Sequence, residues 1–325
     1  MSKHLLSGLV GAGITAVAAK LWYGKPSSTT TDSQPATGSY NAPLPVPASS
    51  PSSKLPLQAP VKPSDLFKYG FPGPVHDLQT RQEFVSVYDR QKRNPYYVVE
   101  HITKESLKSR NGDVDRKRSV FKEDENIPAK FRSRLRDYFR SGYDRGHQAP
   151  AANAKFNQDA MDETFYLTNI SPQVGEGFNR DYWAHLEFFA RECTSKYDSV
   201  RIVTGPLYLP KKFPDGKFRV SYEVIGNPPN IAVPTHFFKL IIGEKGGDNK
   251  DLSVAAFVLP NDIISNTTPL RSFEVPLEAL EVSSGLNFLQ NVPEHKKKSL
   301  CQEVRCDITV RDFSKANQKL LPAPK

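Results

Sequence analysis

The stretch Ser141-Gly142-Tyr143-Asp144-Arg145-Gly146-His147-Gln148-Ala149-Pro150 constrains this chain more than any other. It sets a carboxylate, a guanidinium, a glycine and an imidazole side by side. A second run answers it, Asn179-Arg180-Asp181-Tyr182-Trp183-Ala184-His185-Leu186-Glu187-Phe188-Phe189-Ala190-Arg191. Read as a helix, it carries Asn179, Trp183, Glu187 and Arg191 four apart, drifting slowly round one face. A helix that must also bury Trp and Phe does not carry such a row as plain solvent decoration. The two runs are therefore expected to bring His147 and Asn179 face to face across one site.

The chain around them divides by composition. Residues 1–23 contain no acid and hold an apolar run flanked by Lys3 and Lys20, shorter than the ~20 residues that span a bilayer unless Leu21 to Tyr23 are counted and Lys20 snorkels. A secretory signal, a mitochondrial presequence and a short membrane anchor all fit. Residues 24–64, rich in Ser, Thr and Pro, are read as a disordered linker that can bury no core. Residues 65–320 form the one globular domain, and 321–325 a short tail. The net charge of +9 favours a polyanionic partner, nucleic acid or an acidic membrane surface. Three cysteines, Cys193, Cys301 and Cys306, give neither a disulfide framework nor a paired zinc spacing. Cys301 and Cys306 are read as ordinary buried thiols, although an oxidising space would let them bridge.

Within the domain, residues 83–89 alternate as a strand and 95–102 as its partner across a basic turn. His101, at that strand's end, reads as a satisfied edge histidine. Residues 131–139 read as a short helix, 165–170 as a short strand, and 171–178 as the loop leading to the Asn179 helix. Residues 199–204, 218–225, 235–242 and 253–259, each bounded by turn signals, read as strands of one sheet, two of them apolar enough to be central. Residues 276–285 read as a helix closed by a glycine cap.

Cleaving a phosphodiester needs an activated water, charge stabilisation on the phosphorane oxygens and help for the leaving alkoxide. A histidine near its usual pKa of about 6.5 can serve as general base if it is held neutral and aimed. Gly146 permits a close backbone approach just before it. Whether Asp144 or another group supports the imidazole is open at this stage. Asn179 offers a hard amide oxygen to Mg²⁺ or Mn²⁺, leaving the rest of the shell to water and phosphate. Glu187 could hold metal-bound water, and Arg191 could pair with Glu187 and reach a phosphate. The plainer alternatives are a helix N-cap for Asn179 and a surface i,i+4 pair for Glu187 and Arg191. The basic loop at residues 116–122 could hold phosphates beside the site.

These stretches resemble the DNA/RNA non-specific, metal-dependent endonucleases, most closely the fungal mitochondrial nucleases of the endonuclease G branch. The resemblance spans residues 65–320. It is carried by the Asp144-Arg145-Gly146-His147 signature together with Phe67 to Pro74, Phe165-Tyr166-Leu167, Val200 to Leu207 and Ala232 to Lys239. It implies an α+β domain with a central, mainly antiparallel sheet flanked by helices and a ββα-metal (His-Me finger) site. By that likeness His147 is the general base, Asn179 the sole protein ligand of the ion, and Glu187 the orienter of metal-bound water. Arg191 is then a phosphate-stabilising arginine, Arg145 the signature arginine, and Arg116, with Arg118 not excluded, the upstream arginine. The resemblance also implies DNA and RNA as substrates, 5′-phosphate and 3′-hydroxyl products, a mitochondrial address at the inner membrane or in the intermembrane space, and a homodimer. Two rivals stay open on the residues alone: a membrane-tethered basic domain that binds nucleic acid without cutting, and a phosphodiesterase for a small or lipid substrate.

Overall fold

The structure, a computed structural model, describes residues 76–109, 114–246 and 251–311. The expected targeting segment, linker, 67–74 stretch and 321–325 tail lie outside the described residues. Strands β2 (Phe84–Asp89) and β3 (Asn94–Ile102) form the antiparallel pair expected from residues 83–102, and β1 (Asp77–Thr80), which was not expected, adds to the free side of β2. Strands β4 (Asp144–His147) and β5 (Ile170–Gln173) pair only with each other, His147 opposite Ile170 and Asp144 opposite Gln173. Strand β6 (Ser199–Leu207) returns to the main sheet beside β3.

β6 runs on through Gly205-Pro206, where a turn was expected. β3 follows it only as far as the Val98–Thr204 pair, so the missing N–H of Pro206 faces no partner strand on that side. Gly205 is needed there because a Cβ would lie 2.7 Å from the Tyr96 carbonyl oxygen and 2.7 Å from the Phe238 ring.

Residues 218–225 depart from expectation. They join no central strand but form two small ribbons, β7 (Lys211–Lys212) with β8 (Phe218–Arg219), and β9 (Val224–Ile225) with β10 (Ile231–Ala232). Phe218, Val220, Tyr222 and Val224 alternate as a strand should, yet all four are exposed. Period-two patterning here has no face to bury against.

Strands β11 (His236–Glu244) and β12 (Leu252–Pro260) are the central pair, β13 (Glu274–Val275) flanks β12, and β14 (Lys297–Ser299) joins β12 in parallel. The main sheet has eight strands and all its other pairings are antiparallel. Helices α1 (Gln158–Glu163), α2 (Tyr182–Glu192), α3 (Leu277–Ser284) and α4 (Leu300–Glu303) complete the regular structure. Successive side chains divide the core. Ile202, Phe237, Ile241 and Phe257 face α2, meeting Tyr182, Trp183, Leu186 and Phe189. Val203, Phe238, Leu240 and Ala256 face the other way, toward Leu280 of α3. Each large apolar side chain so buried contributes about 1.5–3 kcal/mol, which fixes α2 firmly on the sheet.

Gly285 ends α3 at φ 70°, as its sequence promised. Residues 131–139 hold two short 3₁₀ turns, Ala129–Phe131 and Leu135–Tyr138, rather than one helix. The expectation of two free thiols is overturned: Cys301 and Cys306 are disulfide-bonded with Cα atoms 5.1 Å apart, while Cys193 is free and buried. No helix among the described residues is long and apolar enough to cross a membrane.

Candidate active site

The ribbon β4–β5 carries the central motif. Gly146 leaves room in it for the Gln173 side chain of the paired strand: a Cβ there would sit 1.9 Å from Gln173 Oε1 and force that side chain to move. The chain leaving His147 is clamped by buried Asn169, whose Oδ1 accepts from Ala149 N at 2.9 Å and whose Nδ2 donates to Ala149 O at 2.9 Å and Thr164 O at 2.8 Å. His147 is thus held by backbone on both sides.

The imidazole is buried between two phenyl rings. Phe165 meets it edge-on at 4.7 Å between centroids, and Phe121 is tilted against it at 5.4 Å. Two arginines share those rings: Arg145 lies 4.3 Å from the Phe121 centroid and Arg116 5.9 Å from that of Phe165. Burial, and secondarily the charge of Arg116, push the imidazole down to about 3, so it is neutral at physiological pH. His147 Nε2 is buried and has no hydrogen-bond partner among the described residues.

Arg116 begins a 3₁₀ turn, Arg116–Arg118, capped by Asp115, whose side chain accepts from Lys117 N. Its charge acts on both His147 and Glu187.

Asn179 stands elsewhere than expected. It closes the irregular turn Gly175–Asn179, and α2 begins only at Tyr182. Asp181, at φ −130° and ψ −100°, breaks the helix between them. The four-residue row is therefore helical only from Trp183 onward, and the N-cap position belongs to Asp181, not Asn179. What aims Asn179 is Asp144: Asn179 Nδ2 donates to Asp144 Oδ2 at 2.9 Å. That bond turns Oδ1 away from the carboxylate. Arg180 grips the same carboxylate through Nε at 2.7 Å and Nη2 at 2.5 Å. Desolvation pushes the Asp144 carboxyl up, but the bonds from Arg180 and Asn179 outweigh it and hold the group below the usual range. The open question about Asp144 is thus answered: it supports the amide, not the imidazole. The sequence signal was adjacency within the motif, but the partner comes from a segment 35 residues away.

On α2, Glu187 is half-buried, and desolvation raises its carboxyl while Lys239, Arg191 and Arg116 oppose the rise. The expected Glu187–Arg191 pair does not form directly; Arg191 Nη1 donates instead to Asn153 Oδ1 at 3.1 Å. Asn153 and Lys239 were not singled out from the sequence. Among the described residues no group of three or more His, Cys, Asp or Glu converges to hold a metal. The donor that fits a hard divalent ion here is the Asn179 amide oxygen.

Residues 62–295 match the sequence profile of the DNA/RNA non-specific endonucleases. The chain belongs to that family.

Family membership makes it an endonuclease of DNA and RNA, and β4, β5 and α2 form the ββα element of its His-Me finger fold. The chain is 62% identical to a mitochondrial nuclease of Saccharomyces cerevisiae over 335 residues, covering 100% of this chain and 98% of the relative. It is 43% identical to mitochondrial endonuclease G of Homo sapiens over 228 residues, covering 70% of this chain and 74% of the relative. A crystal structure of an EndoG/EndoGI complex, described as showing the mechanism of EndoG inhibition, superimposes with a TM-score of 0.66 at 48% identity, covering 74% of this chain and 97% of that one. The mitochondrial names of these relatives place this nuclease in the mitochondrion.

Proposed function

We propose that this endonuclease cleaves through His147 as general base and a divalent ion, Mg²⁺ or Mn²⁺, held by Asn179. The reading rests on one observation: the strand β4 carries both a buried imidazole with Nε2 free and, three residues before it, the carboxylate that takes an amide hydrogen of Asn179. About 10 Å of extended backbone separates the two reference points, a span that two side chains and a hydrated ion can fill.

The ion, when bound, supplies positive charge for the phosphorane and the departing 3′-oxygen. His147 Nε2 accepts the proton of the attacking water. Its burial keeps it unprotonated in the free enzyme, and the arriving phosphate, an anion, favours the imidazolium and raises its proton affinity when it is needed. Glu187 accepts hydrogen bonds from water in the ion's shell. Arg191, Arg145 and Arg116 face the phosphate oxygens. Contacts made to phosphates carry no base identity, which accounts for non-specific cutting; attack of the water on phosphorus with breakage of the bond to the 3′-oxygen leaves 5′-phosphate and 3′-hydroxyl ends. We place the enzyme at the inner membrane or in the intermembrane space on the acid-free residues 1–23, and as a homodimer on the family resemblance.

Plasmid nicking and RNA cleavage with and without chelator test this reading. His147→Ala and Asn179→Ala each lower kcat by about 10²–10⁴-fold, and excess EDTA abolishes cutting of both nucleic acids. Undiminished cleavage in excess EDTA would overturn the role of the ion. Tight binding with intact substrate after long incubation in Mg²⁺ would favour a binding protein instead.

A further inference from the structure

Behind the face that α2 turns to the site, the sheet carries an interior group of ionisable side chains that the mechanism above does not use. Glu100 of β3 and Lys239 of β11 are each 1% exposed, as is Asn153 in the turn Ala151–Asn153. Lys239 Nζ donates to Thr204 Oγ1 at 2.7 Å and lies 4.8 Å from the Trp183 ring. Asn153 stands between two charges: its Nδ2 donates to Glu100 Oε1 at 2.7 Å, and its Oδ1 accepts from Arg191 Nη1 at 3.1 Å. Only one amide orientation serves both, since a guanidinium can only donate and an ionised carboxylate only accept. The amide therefore passes the position of Glu100 on to Arg191.

The remaining oxygens show how the group stays together. Glu83 Oε1 and Oε2 and Glu100 Oε2 are buried and find no donor among the described residues. The two carboxyls face each other; burial raises the proton affinity of both, and Glu100 raises that of Glu83 further. A proton on one of the two carboxyls would supply the donor these oxygens lack. Desolvation, opposed by Lys239, pushes Glu100 up to about 7.

We propose that Glu100 and Asn153 are positioning residues for Arg191, the carboxylate fixing the amide and the amide fixing the guanidinium. The inference rests on the phosphate-facing role given above to Arg191. It extends that role to two side chains that touch neither substrate nor ion.

The test is a set of variants of the full chain, assayed with Mg²⁺ on a DNA duplex for kcat and KM separately. Asn153→Ala lowers kcat by up to about 10²-fold, the cost of a misplaced catalytic group, with KM within about three-fold. In an Arg191→Ala background the same change costs nothing further, because a positioned group that is absent cannot be misplaced. Asn153→Asp sets carboxylate against carboxylate and is worse than the alanine. Adding Glu100→Gln exchanges donor and acceptor, re-forms the bond and restores most of the kcat. The Nε–H resonance of Arg191, followed by NMR, is sharp and dispersed in the parent and averaged in Asn153→Ala. If Glu100→Ala does not fold, the Asn153 variants and the exchange pair decide. A kcat within two-fold of the parent in Asn153→Ala, full additivity with Arg191→Ala, or no recovery in the exchange pair overturns the inference. If Arg191→Ala itself leaves kcat unchanged, its phosphate role fails. The resonance then still reports whether Asn153 holds the guanidinium.

Discussion

The two halves of the site are built from opposite materials. The His147 half is buried and aromatic: Phe121 and Phe165 enclose the imidazole, and its Nε2 has no partner among the described residues. The Asn179 half is ionic: one carboxylate, Asp144, gathers the Asn179 amide and the Arg180 guanidinium at once. A base must be kept free of protons, and burial does that by penalising the charged form. A metal ligand must be kept pointing, and a hydrogen bond on its other atom does that. One strand, β4, borders both environments.

The contrast can be broken from the ionic side with the largest effect. Asp144→Ala removes the acceptor that turns Asn179, and the Mg²⁺ concentration for half-maximal cleavage rises about 10–100-fold. The His147 resonances stay where they were. Were the imidazole to titrate differently in that variant, the two halves would not be separate devices. A smaller effect comes from the aromatic side. Phe165→Leu opens the imidazole pocket, costs ~1 kcal/mol of stability, and moves the His147 titration by NMR upward toward 6.5; half-saturation by Mg²⁺ is unchanged. The smallest effect sharpens the contrast through pH. Unfolded imidazoles take up protons near pH 6.5, whereas burial holds folded His147 at about 3 and His236 at about 4. Their folded affinities are depressed, so the stability they contribute is full above about pH 6.5 and is lost as the pH falls toward those values. Urea midpoints measured from pH 7 to 4.5 decline accordingly, and His147→Gln makes the decline shallower.

Much of this was legible in the residues themselves. The β2–β3 pair, the apolar strands β11 and β12, and the capped helix α3 followed from periodicity and one glycine. His147 and Asn179 stood out because a base and a hard donor flank stretches that must be buried. The misses have physical causes. The turn before α2 was hidden because residues 179–191 keep helical spacing in sequence while the backbone at Asp181 departs from it. Strand β5 was hidden by Ser171-Pro172, which look like loop yet pair across a two-stranded ribbon where one edge is free. Residues 218–225 carry the right alternation without a surface to bury it. The partners of Asp144 and Asn153 arrive from 35 and 38 residues away, beyond any local pattern.

Helix α2 carries Glu187 and Arg191 on the same short rod that buries Trp183, Leu186 and Phe189 in the sheet. Heat therefore cannot silence those two groups by loosening a local flap. Their inactivation coincides with melting of the whole sheet, and a core substitution that hardens this contact extends the temperature range over which the enzyme cuts.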